Sequence, residues 1–205
     1  YATGTLLSAA FLGMLPNALL QAPAIPVMAT VLAGMVGFFV LEKLVIWRHS
    51  HELEGKVHAR GASLILIGDA FHNFVDGVLI AAAFFTSIPL GVTTYLAVIE
   101  HEIPQEVGDF AILLDSGFSR GKALLMNGLS SITTMPGALI AYYWLAEARA
   151  ATPYILAIAA ASFIYIATAD LIPMLHRQAN SVAALRQLLL LLAGIGTIAL
   201  FHFGE

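Results

Sequence analysis

The feature that most limits the fold of this chain is a series of seven apolar segments. Each is close to the ~20 residues that an α-helix needs to cross a bilayer. They occupy residues 1–21, 24–47, 61–86, 89–115, 121–147, 153–175 and 184–203. In hydrocarbon every backbone N–H and C=O must find a partner, and segments of this length meet that demand as helices. The connections are short, and Pro23, Pro26, Pro89 and Pro153 stand at segment starts, where a missing N–H is tolerated. Only 11% of the 205 residues are charged, against about 25% in a soluble domain. The expected fold is therefore all-α, a polytopic transmembrane bundle with seven visible helices, and residues 1–205 form a single domain.

Basic residues give the bundle an orientation. Lys43, Arg48, Lys56 and Arg60 flank the second connection, Arg120 and Lys122 the fourth, and Arg177 and Arg186 the sixth. Only Arg149, of nine Lys and Arg, lies on the other side. Cytoplasmic loops carry such an excess. The connections near 48–60, 116–122 and 176–183 are thus expected in the cytoplasm. No basic stretch or cleavage site marks a signal peptide at the start.

This orientation places two polar clusters at one depth. His72, Asn73 and Asp76 lie near the middle of the third segment; His101, Glu102, Gln105 and Glu106 lie near the middle of the fourth. The linker from Thr86 to Pro89 is short enough to force an antiparallel hairpin. At about 100° per residue, Asp69, His72, Asn73 and Asp76 share one narrow helix face. The second cluster covers a broader face, with His101 and Gln105, and Glu102 and Glu106, each four residues apart. A single buried histidine is ordinarily a hydrogen-bonded core residue. Seven polar residues on two facing helices, at a depth where charge is costly, mark an ion path or a metal site. Imidazole, carboxylate and amide groups together suit a divalent ion. Glu102, with two oxygens, is the residue best placed to bridge two ions.

The remaining polar residues are ambiguous. Asp109 and Asp115 either line an exit path or are solvated, and Asp69 and Asp170 are similarly open. Glu42 beside Lys43 reads as an interfacial pair. His49, His51 and His58 read as a solvated loop, with a weak metal trap as the alternative. Met14 reads as core. Gly4, Gly13, Gly34, Gly37, Gly194 and Gly196 read as close helix packing. Pro104 bends the fourth helix and frees the carbonyl of Glu100. The chain contains no cysteine, which removes thiolate sites and argues against Cu(I). Zn²⁺, Mn²⁺, Fe²⁺, Cd²⁺ and similar ions stay open. Divalent ions and the lipid bilayer are the expected partners. The scattered basic residues form no face for nucleic acid.

His72 to Gly77 reads HNFVDG and His101 to Phe110 reads HEIPQEVGDF. These motifs resemble the ZIP family of metal-ion transporters, in the branch with HNxxDG and HExPHE. Weaker flanking matches support the resemblance: Tyr1 to Leu7, Leu15 and Pro16, Leu41 to Lys43, Ser162 to Ala167, and Asp170 to Pro173. The resemblance implies eight helices, the first lying before the present chain, and a multi-pass protein of the bacterial inner membrane. It implies no enzymatic activity, inward movement of metal with Zn²⁺ as the expected ion and Cd²⁺, Mn²⁺ or Fe²⁺ as alternatives, an elevator-like slide of one helix group past another, and two adjacent metal sites. By position, one site would use His72, His101, Glu102 and Gln105. The other would use Asn73, Asp76 and Glu102, with Gln105 or Glu106. A homodimer is among the assemblies it allows.

Three positions depart from the family pattern. Gln105 replaces the second histidine of HExPHE. Gly13 stands where the branch often has a histidine. Thr133, Thr134 and Met135 stand where some bacterial members carry a glutamate. Two other functions compete with the transporter. His101 to Gln105 falls one residue short of the HExxH motif of a zinc metalloprotease, because position 105 is not histidine. A cation or proton channel needs only the carboxylates, whereas the histidines favour coordination.

Overall fold

The described residues form seven helical rods of membrane-crossing length. The computed structural model describes the backbone of residues 1–51, 58–177 and 181–203, and the side chains of 1–43, 65–177 and 183–201. Helix is the regular structure of these described residues, without a strand among them. The first four rods are α1 (Ala2–Gln21), α2 (Ala24–His51), α3 (His58–Thr86) and α4 (Ile88–Asp115). The fifth is divided into α5 (Arg120–Ser131) and α6 (Thr134–Glu147). The last two are α7 (Arg149–His176) and α8 (Ser181–Phe203). Six rods are long and apolar enough to cross a membrane. The other, α4, is as long but carries Glu100, Glu102, Glu106, Asp109 and Asp115.

Proline explains where these rods depart from ideal helix. A proline cannot donate to the carbonyl four residues back, and its ring crowds that carbonyl. Pro16 follows a π-helical stretch at Ala9–Met14, and Pro173 follows another at Ile166–Leu171. The wider turn makes room for the ring. Pro136 lies in the first turn of α6, and its preceding-turn carbonyl belongs to Ile132, where the fifth rod breaks. The apolar segment read over 121–147 is one span of membrane length, its helix interrupted at Ile132 and Thr133. Ser87 caps α4 by accepting from the Leu90 N–H at 3.2 Å, with Pro89 in the first turn.

The helices pack as two groups. α3 lies along α6 and against α4 and α5; α2 lies along α7, which also packs on α1, and α1 pairs with α8. The groups meet where α3 touches α7 and where α1 and α8 touch α4. The core between them is rich in alanine: Ala81, Ala82 and Ala83 from α3 and Ala157, Ala159, Ala160 and Ala161 from α7 are buried. Small side chains let backbones approach closely. The outward faces are apolar, with Leu20 86% exposed and Ile25 83% exposed, as suits a surface solvated by lipid.

Glycine makes the tightest crossings. A Cβ on Gly77 would overlap the Thr134 carbonyl of α6, and one on Gly137 would overlap the Phe74 carbonyl of α3. Gly4 and Gly194 play the same part where α1 crosses α8. Gly34 approaches Ala161. Gly37 and Gly196, read from the sequence as packing positions, have nothing within 4 Å of an added Cβ. Met14 is fully buried in the apolar core. Gly77→Leu should therefore cost about 3 kcal/mol, the upper part of the range for overpacking. Gly37→Leu should be neutral. Thermal unfolding of the two variants in detergent checks this, and equal melting temperatures would refute it.

Candidate metal centre

The α3–α4 hairpin brings the two polar clusters face to face. Asp76 is fully buried, and His101 is 3% exposed. His72 Nε2 lies 3.2 Å from Glu102 Oε1 and 3.8 Å from Asp76 Oδ2. His101 Nε2 lies 3.3 Å from each of the same two oxygens. One donor atom from each of the four residues falls within 4.8 Å of all the others. A zinc tetrahedron with bonds of about 2.0–2.2 Å has edges of about 3.3–3.6 Å. The four histidine–carboxylate separations, 3.2–3.8 Å, bracket that range.

The orientation of His101 is fixed from behind. Its Nδ1 is 3.0 Å from the Ala97 carbonyl of the preceding turn. That acceptor calls for a proton on Nδ1, which leaves the lone pair of Nε2 facing the cluster, as in metal-binding histidines. Phe163 of α7 stands against the ring, with centroids 5.8 Å apart. Across the cluster, Nε2 of His72, Nε2 of His101 and both oxygens of Asp76 and of Glu102 are buried without a hydrogen-bond partner. Buried polar atoms are almost always satisfied. Four of these six atoms, one from each residue, lie within 4.8 Å of one another, a set that a shared cation would satisfy.

A second group adjoins the first. Asp69, Glu102 and Glu106 each offer an oxygen within 4.8 Å of the other two. Asp69 Oδ1 accepts from Asn73 Nδ2 at 3.1 Å and from Gln105 Nε2 at 3.0 Å, while Oδ2 is buried and unpartnered. Glu106 Oε1 accepts from Ser131 Oγ at 2.5 Å, and Asn127 of α5 donates to the Glu106 carbonyl at 3.0 Å. Thr134 Oγ1 donates to Asn73 Oδ1 at 3.1 Å. The break between α5 and α6 thus turns hydroxyls toward both Glu106 and Asn73.

All seven residues singled out from the sequence meet in this region, with a different division of labour. Asp76, assigned by resemblance to the second site, sits with the two histidines. Asn73 and Gln105 present their NH₂ groups to Asp69. Asp69, left open by the sequence reading, joins the second group. Its signal was its place four residues before Asn73 on the same helix face. Ser131 and Asn127 carried no signal, because a kink brings them to the site.

A cavity of about 450 Å³ reaches His72 and Asp69 from the end of the molecule that holds Glu42, Asp109 and Asp170. Glu42 does not pair with Lys43, because neighbouring residues on a helix point apart. It accepts instead from the Tyr165 hydroxyl of α7, while Lys43 Nζ lies 5.6 Å from the Phe39 ring centroid. The side chains of His49, His51 and His58 lie outside the described residues.

Comparison with known proteins bears on this arrangement. A family model described as ZIP Zinc transporter matches residues 48–202. Zinc transporter ZIP4 of Homo sapiens is 43% identical over 110 residues, covering 54% of this chain and 17% of that protein. Zinc transporter zipt-7.2 of Caenorhabditis elegans is 37% identical over 139 residues, 65% of this chain and 30% of its own length. Zinc transporter ZIP13 of Danio rerio is 40% identical over 139 residues, 67% and 40% respectively. The chain spans less than half the length of these curated relatives.

Proposed function

The chain belongs to the ZIP zinc transporter family, and from that premise we propose that it carries divalent metal ions, zinc foremost, across a membrane into the cytoplasm. The observation that carries this reading is the set of orphaned donors on His72, Asp76, His101 and Glu102. Two neutral imidazoles and two carboxylates make a zinc-type set. They also make a neutral complex with one dication, which matters where net charge is expensive. Asp69 and Glu106 add two further carboxylates around the shared Glu102, and a second dication restores neutrality. This balance supports a binuclear centre.

The same geometry supports a route and an inward direction. The cavity beside His72 leads toward the ends of α2, α4 and α7, the side bearing the basic connections near 48–60, 116–122 and 176–183. On the positive-inside rule that side is cytoplasmic. Carboxylates of Glu42, Asp109 and Asp170 along the cavity favour a departing cation. The two helix groups suit an elevator-like slide, with α3 to α6 carrying the site past α1, α2, α7 and α8. The metalloprotease alternative loses its main support, because Glu102, which would serve as the base, stands within the donor set. Purified protein in liposomes should accumulate zinc after binding it stoichiometrically. Binding without accumulation, or accumulation without binding, rejects the reading.

Ser131 sets a smaller test. Its hydroxyl holds one oxygen of Glu106, and loss of a partner behind a metal ligand costs about 10-fold to 100-fold in affinity. Ser131→Ala should lower zinc affinity about 10-fold, and Ser131→Thr should restore most of it. Calorimetric titration of zinc into the three proteins measures both effects. An unchanged affinity in Ser131→Ala removes Glu106 from the site.

A further inference from the structure

A second cavity, of about 860 Å³, lies at the opposite end of the bundle. It occupies the seam between the helix groups. Phe84 and Phe85 at the end of α3 and Leu139 of α6 form its apolar wall; Gln21 of α1 and Thr152 and Arg149 of α7 form its polar end. Arg149 is the only charged residue in the lining. Among the described residues its guanidinium has no carboxylate or hydrogen-bond partner. Arg149 is exposed at the mouth of the cavity, where its charge attracts an anion and its planar fork matches phosphate.

Depth decides which anion. Tyr142, Tyr143 and Trp144 lie within two turns of Arg149 and are 57%, 70% and 53% exposed. Exposed Tyr and Trp at a helix end mark the headgroup level of a bilayer. Arg149 is therefore at headgroup height, and Phe84 and Leu139, 44% and 55% exposed, open the cavity sideways to acyl chains. A soluble phosphate would satisfy the arginine and leave the apolar wall uncovered. A phospholipid satisfies both.

We propose that this cavity holds one phospholipid of net negative headgroup, its phosphate on Arg149 and its acyl chain against Phe84, Phe85 and Leu139. It fills the space that the two helix groups leave between them, and it involves no residue of the metal centre. Net negative headgroups are favoured because they bring no ammonium to compete with the guanidinium.

Native mass spectrometry of the detergent-purified protein, titrated with phosphatidylglycerol or phosphatidylcholine, tests the site. Wild-type protein should retain one phosphatidylglycerol with about 5-fold preference over phosphatidylcholine, the scale that one basic residue gains from an anionic lipid. Arg149→Gln should abolish the preference. Thr86→Trp, which fills the cavity and keeps the arginine, should lower phosphatidylglycerol affinity by a similar factor. Arg120→Gln, at the other end of the bundle, should change neither. The proposal is overturned if Arg149→Gln and Thr86→Trp both bind phosphatidylglycerol like wild type, if Arg120→Gln weakens it equally, or if only detergent occupies the protein.

Discussion

Glu102→Ala is expected to abolish zinc uptake and to lower zinc affinity by more than about 100-fold, beyond the usual cost of losing an outer partner. The reason is its position. One carboxylate oxygen faces both His72 and His101, and the same residue belongs to the Asp69 and Glu106 group. Its removal strips an anion from both groups at once, and two imidazoles with one aspartate then face a dication in a medium that tolerates net charge poorly. Gln105→Ala should be far milder, about 10-fold, because its NH₂ steadies Asp69 at 3.0 Å. Uptake of radioactive zinc into proteoliposomes compares the two. Equal loss in both would place the Gln105 oxygen on the ion and redraw the centre.

Acidification should release the ion. Zinc binds neutral imidazole, so protons compete with it for His72 and His101. Each histidine that must lose a proton to bind contributes up to about a tenfold fall in affinity per pH unit below its pKa. For two histidines the fall is up to about 100-fold per pH unit. The sign is fixed by the ligands: affinity is highest above the imidazole pKa and declines as pH drops through it. Calorimetry in buffers of different ionisation enthalpy reads the released protons directly. A flat affinity over this range would mean that neither histidine meets the ion.

Much of this architecture was legible because bilayers restrict folding so strongly. Helix count and the α3–α4 hairpin followed from segment length and the short linker between them. His72 and Asp76, four apart, and His101 and Glu102 on the next helix met as their periodicity required. Irregular backbone was less legible. The break before α6 depends on Pro136, one of several prolines in the spans, and nothing in the pattern distinguishes it from Pro16, which a π-helical stretch absorbs. Ser131 therefore reached Glu106 unannounced. Asn73 illustrates a further limit. An amide in a ligand motif can turn either its oxygen or its NH₂ inward, and here Asp69, a residue on its own face, takes the NH₂ while Thr134 takes the oxygen. Close glycine crossings were also unevenly visible. Gly77 lies inside a motif that invites a chemical reading, although its role in the fold is to let α6 approach α3.

The central claim is that His72, Asp76, His101 and Glu102 hold the transported ion together. Anomalous diffraction from zinc-loaded crystals, recorded on either side of the zinc edge, tests it most directly. The account predicts a peak between α3 and α4 within about 2.0–2.2 Å of all four donor atoms, and at higher zinc a second peak beside Asp69 and Glu106, bridged by Glu102. Anomalous density confined to the 48–60 connection, with none between the two histidines, would contradict it.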